Sequence, residues 1–242
     1  MRSERGRFVA GRVVPGVLIA LVFLGCDAFP GKPRLAEREL LPTEVMAFGA
    51  LYEKHCAGCH GADGRFGAAR PLNDPVYLAL VPPTRLRDVI AKGVPGTAQP
   101  ALGLSAGGTL TDAQIDALAR GLVDTWGRPD AAKGVEMPPY AAGSPGDVER
   151  GTAVFAAACA SCHGADGRGG PKGGSVVDAS YLALVSDQSL RTTVIAGRTD
   201  LGMPDWREYV KGQPLSPTQI SDVVTWLASE RRPVPGRPAA AK

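Results

Sequence analysis

Apolar residues recur at helical spacing in two well-separated parts of the chain. Phe48, Leu51, Tyr52 and His55 fall at i, i+3, i+4 and i+7, which predicts a helix running up to Cys56. Gly151, Phe155 and Cys159 repeat at intervals of four, so the second such helix carries a small residue on the face of its aromatic. Further along, Ile115, Leu118 and Leu122 line one face of a helix, and Ile220, Val223, Val224 and Leu227 line another. Each of these later helices opens on a capping box, Thr111 with Gln114 and Ser216 with Gln219, and Pro217 takes the favourable first position. The apolar stripes predict that first and last helices cross and pack within each part. The fold class is therefore all-α.

The two parts are copies. HCAGCHGADGR at 55–65 matches ACASCHGADGR at 158–168 with an offset of 103. YLALV at 77–81 and 181–185 follows at an offset of 104, and LTDAQI at 110–115 matches LSPTQI at 215–220 at 105. Collinear matches of this length imply a duplicated domain, each copy reading as helix, motif, loop, helix, loop, helix. The expected boundaries are 44–127 for domain 1, 128–147 for a linker holding Pro129, Pro138, Pro139 and Pro145, 148–231 for domain 2, and 232–242 for a disordered tail. With 31 Gly and 21 Pro in the chain, loops take much of each domain, and a core of about 80 residues is small. A covalently held group inside each domain would supply the missing apolar contact surface.

The repeated motif supplies such a group. Cys56, Cys59 and His60 form C-x-x-C-H, and Cys159, Cys162 and His163 repeat it. In an exported chain this is the attachment signature of c-type haem. Two intervening residues set both sulfurs on one turn for thioethers to the haem vinyl groups, and the adjacent histidine reaches the iron. A thioredoxin-like dithiol and a zinc site from two C-x-x-C halves are the competing chemistries, and neither calls for His directly after both motifs. Two covalent haem c groups are the expected cofactors.

These residues resemble two tandem class I cytochrome c domains, over about two thirds of the chain. The resemblance implies a distal methionine some tens of residues after each proximal histidine, usually followed by proline. In domain 2 this is Met203, before Pro204 in LGMPDW, forty residues after His163. A soft thioether ligand raises the haem potential. Domain 1 departs from the pattern: aligning Gly93 with Gly197 and Pro100 with Pro204 sets Gln99 at the station of Met203. Three readings stay open for haem 1, namely Gln99 through its amide oxygen, Met137 folding back from the linker, and an open position. A harder oxygen ligand, or none, would lower the potential of haem 1 below that of haem 2. Arg65 and Arg168, placed alike in the two GADGR strings, are candidate propionate contacts.

The N-terminus adds an address. Arg2, Arg5, Arg7 and Arg12 precede the apolar stretch Val13–Leu24, which matches a signal-peptide core in 1–25. Cys26 lies outside both motifs, and Phe23–Cys26 resembles the bacterial lipoprotein box, which implies a lipid anchor at Cys26 and a spacer over 26–43. The haem domains would then face the periplasm from a bacterial membrane. Net charge is +3, yet residues 44–127 hold 7 Lys/Arg against 8 Asp/Glu and residues 149–231 hold 8 against 9, so no basic stripe suits nucleic acid. The function expected is a dihaem c-type cytochrome moving single electrons between redox protein partners, or a haem c subunit of a larger membrane electron-transfer complex. An open site at haem 1 would instead suit a haem enzyme, although no catalytic residue is identified. The apolar strings Val76–Pro83 and Tyr181–Val185 are candidates for either docking or core.

Overall fold

The computed structural model describes residues 38–233. The export segment, Cys26 and most of the tail lie outside the described residues. Ten α-helices follow one another, with no strand among the described residues: α1 Phe48–His55, α2 Ala57–His60, α3 Pro75–Leu80, α4 Pro83–Lys92, α5 Asp112–Trp126, α6 Val148–Ala158, α7 Ala160–His163, α8 Ala179–Leu184, α9 Asp187–Ala196 and α10 Pro217–Ser229. The first five build one domain and the last five repeat the order. In each copy the first helix packs on the last, α1 on α5 and α6 on α10.

The middle of each domain holds two helices where the sequence pattern predicts one. The break has a chemical cause in each copy. In domain 1, Pro82 and Pro83 interrupt the run; Pro82 takes the N-cap position and Pro83 begins α4. In domain 2, Ser186 breaks it and accepts the Ser189 N–H at the start of α9. Upstream, Asp74 and Asp178 cap α3 and α8 through their carboxylates. Both capping boxes are formed. Gln114 does more than its counterpart Gln219: it is buried, and its Nε2 donates to the carbonyls of Pro42 and Val45, tying the entry of domain 1 to α5.

The helix crossings bury the predicted stripes. Leu51, Tyr52, Ile115, Leu118 and Leu122 form the core of domain 1, and Phe155, Ile220, Val223 and Leu227 that of domain 2. Close approach at each crossing needs a glycine, but on opposite partners. In domain 1 a Cβ on Gly121 of α5 would stand 2.3 Å from Cδ2 of Phe48. In domain 2 a Cβ on Gly151 of α6 would stand 2.2 Å from the Asp222 carbonyl oxygen and 2.8 Å from Cβ of Trp226. Under the repeat offsets, Phe48 corresponds to Gly151 and Gly121 to Trp226. Large and small have changed sides, which conserves the volume between the helices. Trp126 meets Phe48 and Tyr52 edge-on in domain 1, while Phe155 packs on Trp226 in domain 2.

Residues 128–147 do not hang between the domains. Arg191 of α9, itself buried, donates to the carbonyls of Pro139 and Tyr140, and Gln188 donates to Tyr140 as well. The linker is thereby seated on domain 2.

The domains also touch directly. The Phe66 N–H donates to Asp200, Arg198 donates to the Gly67 carbonyl, and the Thr199 hydroxyl donates to Asp74. In the other direction, the Ala98 N–H donates to the Leu184 carbonyl. Most of the apolar string after Asp74 is core, with Val76, Tyr77, Leu78, Leu80 and Val81 all buried. Its copy is split, since Leu182 is buried while Tyr181 and Leu184 lie exposed beside this seam.

Candidate haem sites

Each motif is wound into a single turn. The Cys56 N–H closes α1 on the Tyr52 carbonyl, and the Cys59 and His60 N–H groups both return to the Cys56 carbonyl. Cys159, Cys162 and His163 repeat these bonds. Each histidine is then oriented from behind. His60 Nδ1–H donates to the Arg70 carbonyl at 2.7 Å, and His163 Nδ1–H donates to that of Gly174 at 2.8 Å. A carbonyl only accepts, so Nδ1 carries a proton, and Nε2 is the nitrogen that the neutral form of either ring would offer a metal. Burial lowers the His60 pKa, against the opposing pull of its bond to the Arg70 carbonyl.

The four motif cysteines are unpaired. Burial, reinforced by the neighbouring motif cysteine, pushes Cys56 up to about 11 and Cys159 up to about 11. A catalytic dithiol needs its thiol lowered instead. Among the described residues, no three His, Cys, Asp or Glu side chains cluster to hold a metal ion by themselves.

Arg70 tests whether a haem suits the first site. Its Nε and Nη1 are buried with no hydrogen-bond partner among the described residues, and its guanidinium stands 4.0 Å over the Tyr77 ring. Burial lowers its pKa. A buried cation with idle donors calls for an anion carrying several acceptor oxygens. The propionates of a haem attached beside His60 are such acceptors, so the residues present suit the group. Sequence reasoning missed Arg70. It lies in a loop without periodicity, and Gly174, which does the corresponding backbone work in domain 2, carries no side chain.

The distal loops start alike. Gly93 and Gly197 end α4 and α9 at φ 65° and φ 73°, in the left-handed region that glycine occupies without strain. The Val94 N–H then bonds to the Gln99 carbonyl, as the Arg198 N–H bonds to that of Met203. Gln99 and Met203 thus occupy equivalent backbone stations, both partly buried. The Gln99 Nε2 donates to the Pro100 carbonyl. Met137 stands elsewhere: it lines a cleft of about 240 Å³ with Trp206, Pro214, Leu215 and Pro217 of domain 2. No residue of the Val94–Pro100 loop of domain 1 lines that cleft.

Other candidates find ordinary uses. Arg65 donates to the Asn73 carbonyl, and Arg168 pairs with Asp166 at the surface. Trp206 and Trp226 are buried core residues, and Trp126 is partly buried against it. Tyr209 was not singled out from sequence. Its hydroxyl donates to the Val194 carbonyl, and burial beside Cys159 holds its pKa well above the usual value.

The family described as cytochrome C oxidase, cbb3-type, subunit III matches residues 43–120 and 146–227. The chain belongs to this family. Each matched stretch is a cytochrome c domain, and the family's two domains carry covalent haem c. Among curated relatives, the cbb3-type cytochrome c oxidase subunit FixP of Sinorhizobium medicae is 28% identical over 71% of this chain and 57% of its own length. FixP of Azorhizobium caulinodans is 29% identical over 78% of this chain and 60% of its own length. The chain therefore spans less than two thirds of these relatives. A dihydro-heme d1 dehydrogenase of Pseudomonas aeruginosa is 42% identical over 28% of this chain and 13% of its own length, a match too short to carry its activity across.

Proposed function

We propose that this chain is a dihaem electron-transfer subunit that passes single electrons between a periplasmic or membrane donor and a terminal oxidase of the cbb3 type. The observation that carries the reading is the pair of like proximal sites in one compact unit, each with two unpaired cysteines and a histidine fixed by a backbone carbonyl. Bound haem supplies one-electron Fe(III)/Fe(II) chemistry, and the protein tunes it through ligands and burial. His60 and His163 present Nε2 to iron, and Arg70 answers the propionate charge at haem 1. Met203 would supply its thioether sulfur to haem 2. Gln99, at the equivalent station, is the candidate for haem 1. The location of Met137 against Trp206 disfavours it.

The two haems would then be unequal, the first lower in potential and the second higher. The protein works as a carrier and not as an independent enzyme. Export behind residues 1–25, with a lipid at Cys26, would hold the domains at the periplasmic face of the membrane. No helix of the described residues is long and apolar enough to cross a membrane.

A spectroscopic redox titration tests the assignment with wild type, Gln99→Leu and Met203→Leu. Two separated midpoints are expected, with Met203→Leu lowering only the upper one and Gln99→Leu changing only the ligand-field signature of the lower. Two indistinguishable high-potential haems would sink it. Carbon monoxide binding by the reduced wild type at haem 1, with turnover of a small oxidant, would favour the enzyme reading.

A further inference from the structure

The loop that carries Met203 is tied at both ends of a short chain of bonds. Arg198 exchanges both backbone hydrogen bonds with Met203, at 3.1 and 3.0 Å. Its guanidinium reaches Asp200 through Nε at 3.0 Å and Nη2 at 3.1 Å, and Nη2 also donates to the Gly67 carbonyl at 3.4 Å. Asp200 in turn accepts the Phe66 N–H at 3.2 Å. The intervening Thr199 donates from its hydroxyl to Asp74 at 3.1 Å. Phe66, Gly67 and Asp74 all belong to domain 1, on the segment that begins at His60 and contains Arg70.

Phe66 supports a constrained reading of this contact. It holds φ 61°, a left-handed conformation that a bulky side chain rarely adopts. Such a conformation is strained and persists where neighbouring contacts over-determine it. Here the N–H of Phe66 and the carbonyl of Gly67 are both engaged by domain 2. The reverse contact has the same logic: the Ala98 N–H, next to Gln99, is held by Leu184 of domain 2. Each distal loop is therefore fastened to the other domain.

We propose that domain 1 positions the distal ligand of domain 2, with Arg198, Thr199 and Asp200 as positioning residues that brace the Met203 loop on Phe66, Gly67 and Asp74. This rests on the reading of Met203 as the ligand of haem 2. Bracing lowers the population of the state in which the sulfur has left the iron, and so disfavours any exogenous ligand that needs that state.

The test uses the full-length ferric holoprotein and imidazole as the competing ligand, followed by loss of the sulfur-to-iron charge-transfer band. Asp74→Asn keeps an oxygen to cap α3 but exchanges the charged acceptor of the Thr199 hydroxyl for an amide nitrogen, which can only donate and leaves at most a neutral bond. Thr199→Val deletes the same bond from the other side and caps no helix. Thr199→Val is expected to tighten imidazole binding at the Met-ligated haem by about tenfold, the effect of one hydrogen bond to a charged acceptor, and Asp74→Asn by less. The double variant should match Thr199→Val, because both changes act on one interaction. Far-UV circular dichroism should stay at the wild-type value. Wild-type imidazole affinity in both single variants overturns the proposal while leaving Met203 as ligand. A wild-type protein with no sulfur-to-iron band overturns the ligand assignment itself.

Discussion

Asp222 concentrates more of domain 2 on one side chain than any pattern in the sequence suggests. It is buried, accepts both Nε and Nη2 of Arg150 at 2.9 and 3.0 Å, and accepts the Asp147 N–H at 2.8 Å. The Arg150 bond, outweighing burial, holds its carboxyl below the usual carboxylate range. A depressed acid stabilises the fold above its unfolded pKa of about 3.9, and that contribution disappears as pH falls through the lower folded value. Acid denaturation followed by circular dichroism should therefore show domain 2 weakening below about pH 4. Asp222→Asn should be less stable at neutral pH and should lose this part of the acid dependence. A wild-type-like acid profile in Asp222→Asn would assign it to other carboxylates. Nothing in the sequence marks Asp222, because it interrupts an apolar stripe without belonging to it.

The crossing of first and last helices shows how far periodicity reaches. The apolar stripes, both capping boxes and the two turns that carry the cysteines were legible, because each depends on residues within a few positions of one another. Gly151 was legible as a small residue on the face of Phe155. Its mirror, Gly121 opposite Phe48, was not, since the exchange emerges only when the repeat offset changes from 103 at the motif to 105 at the last helix. The two glycines should respond differently to Gly→Ala. At Gly121 the two nearest atoms belong to the Phe48 ring, which can turn aside, with Phe48 Cβ at 2.9 Å the fixed contact, so overpacking should cost about 1–3 kcal/mol. At Gly151 the nearest atoms are backbone atoms of Asp222, which cannot, and the loss should be larger. Thermal denaturation of the two holoprotein variants checks the order, and a greater loss for Gly121→Ala would contradict it.

At the scale of the whole molecule, the two-domain plan was legible and the docking between domains was not. Phe66 and Asp200 are 134 positions apart, and a bond between an N–H and a carboxylate at that distance leaves no trace in composition or period. The linker behaves similarly: its prolines announce a connection, but its seat depends on Arg191 in a helix fifty positions later. Removing that anchor should release it. Arg191→Met is expected to speed limited proteolysis within 128–147 several-fold while both haem spectra persist. Unchanged cleavage would mean that the cleft around Met137 and Trp206 holds the linker without Arg191.

The exchange of large and small residues between the two helix crossings has a consequence for how such a chain folds. Tandem copies of similar sequence invite the first helix of one copy to pair with the last helix of the other, a characteristic failure of multidomain and repeat proteins. Here either wrong pairing is penalised. Helix α1 against α10 would bring Phe48 onto Trp226, two large side chains in space for one. Helix α6 against α5 would oppose Gly151 to Gly121 and leave a void. Two domains built around the same C-x-x-C-H turn are kept distinct by a steric lock whose halves fit only within their own copy.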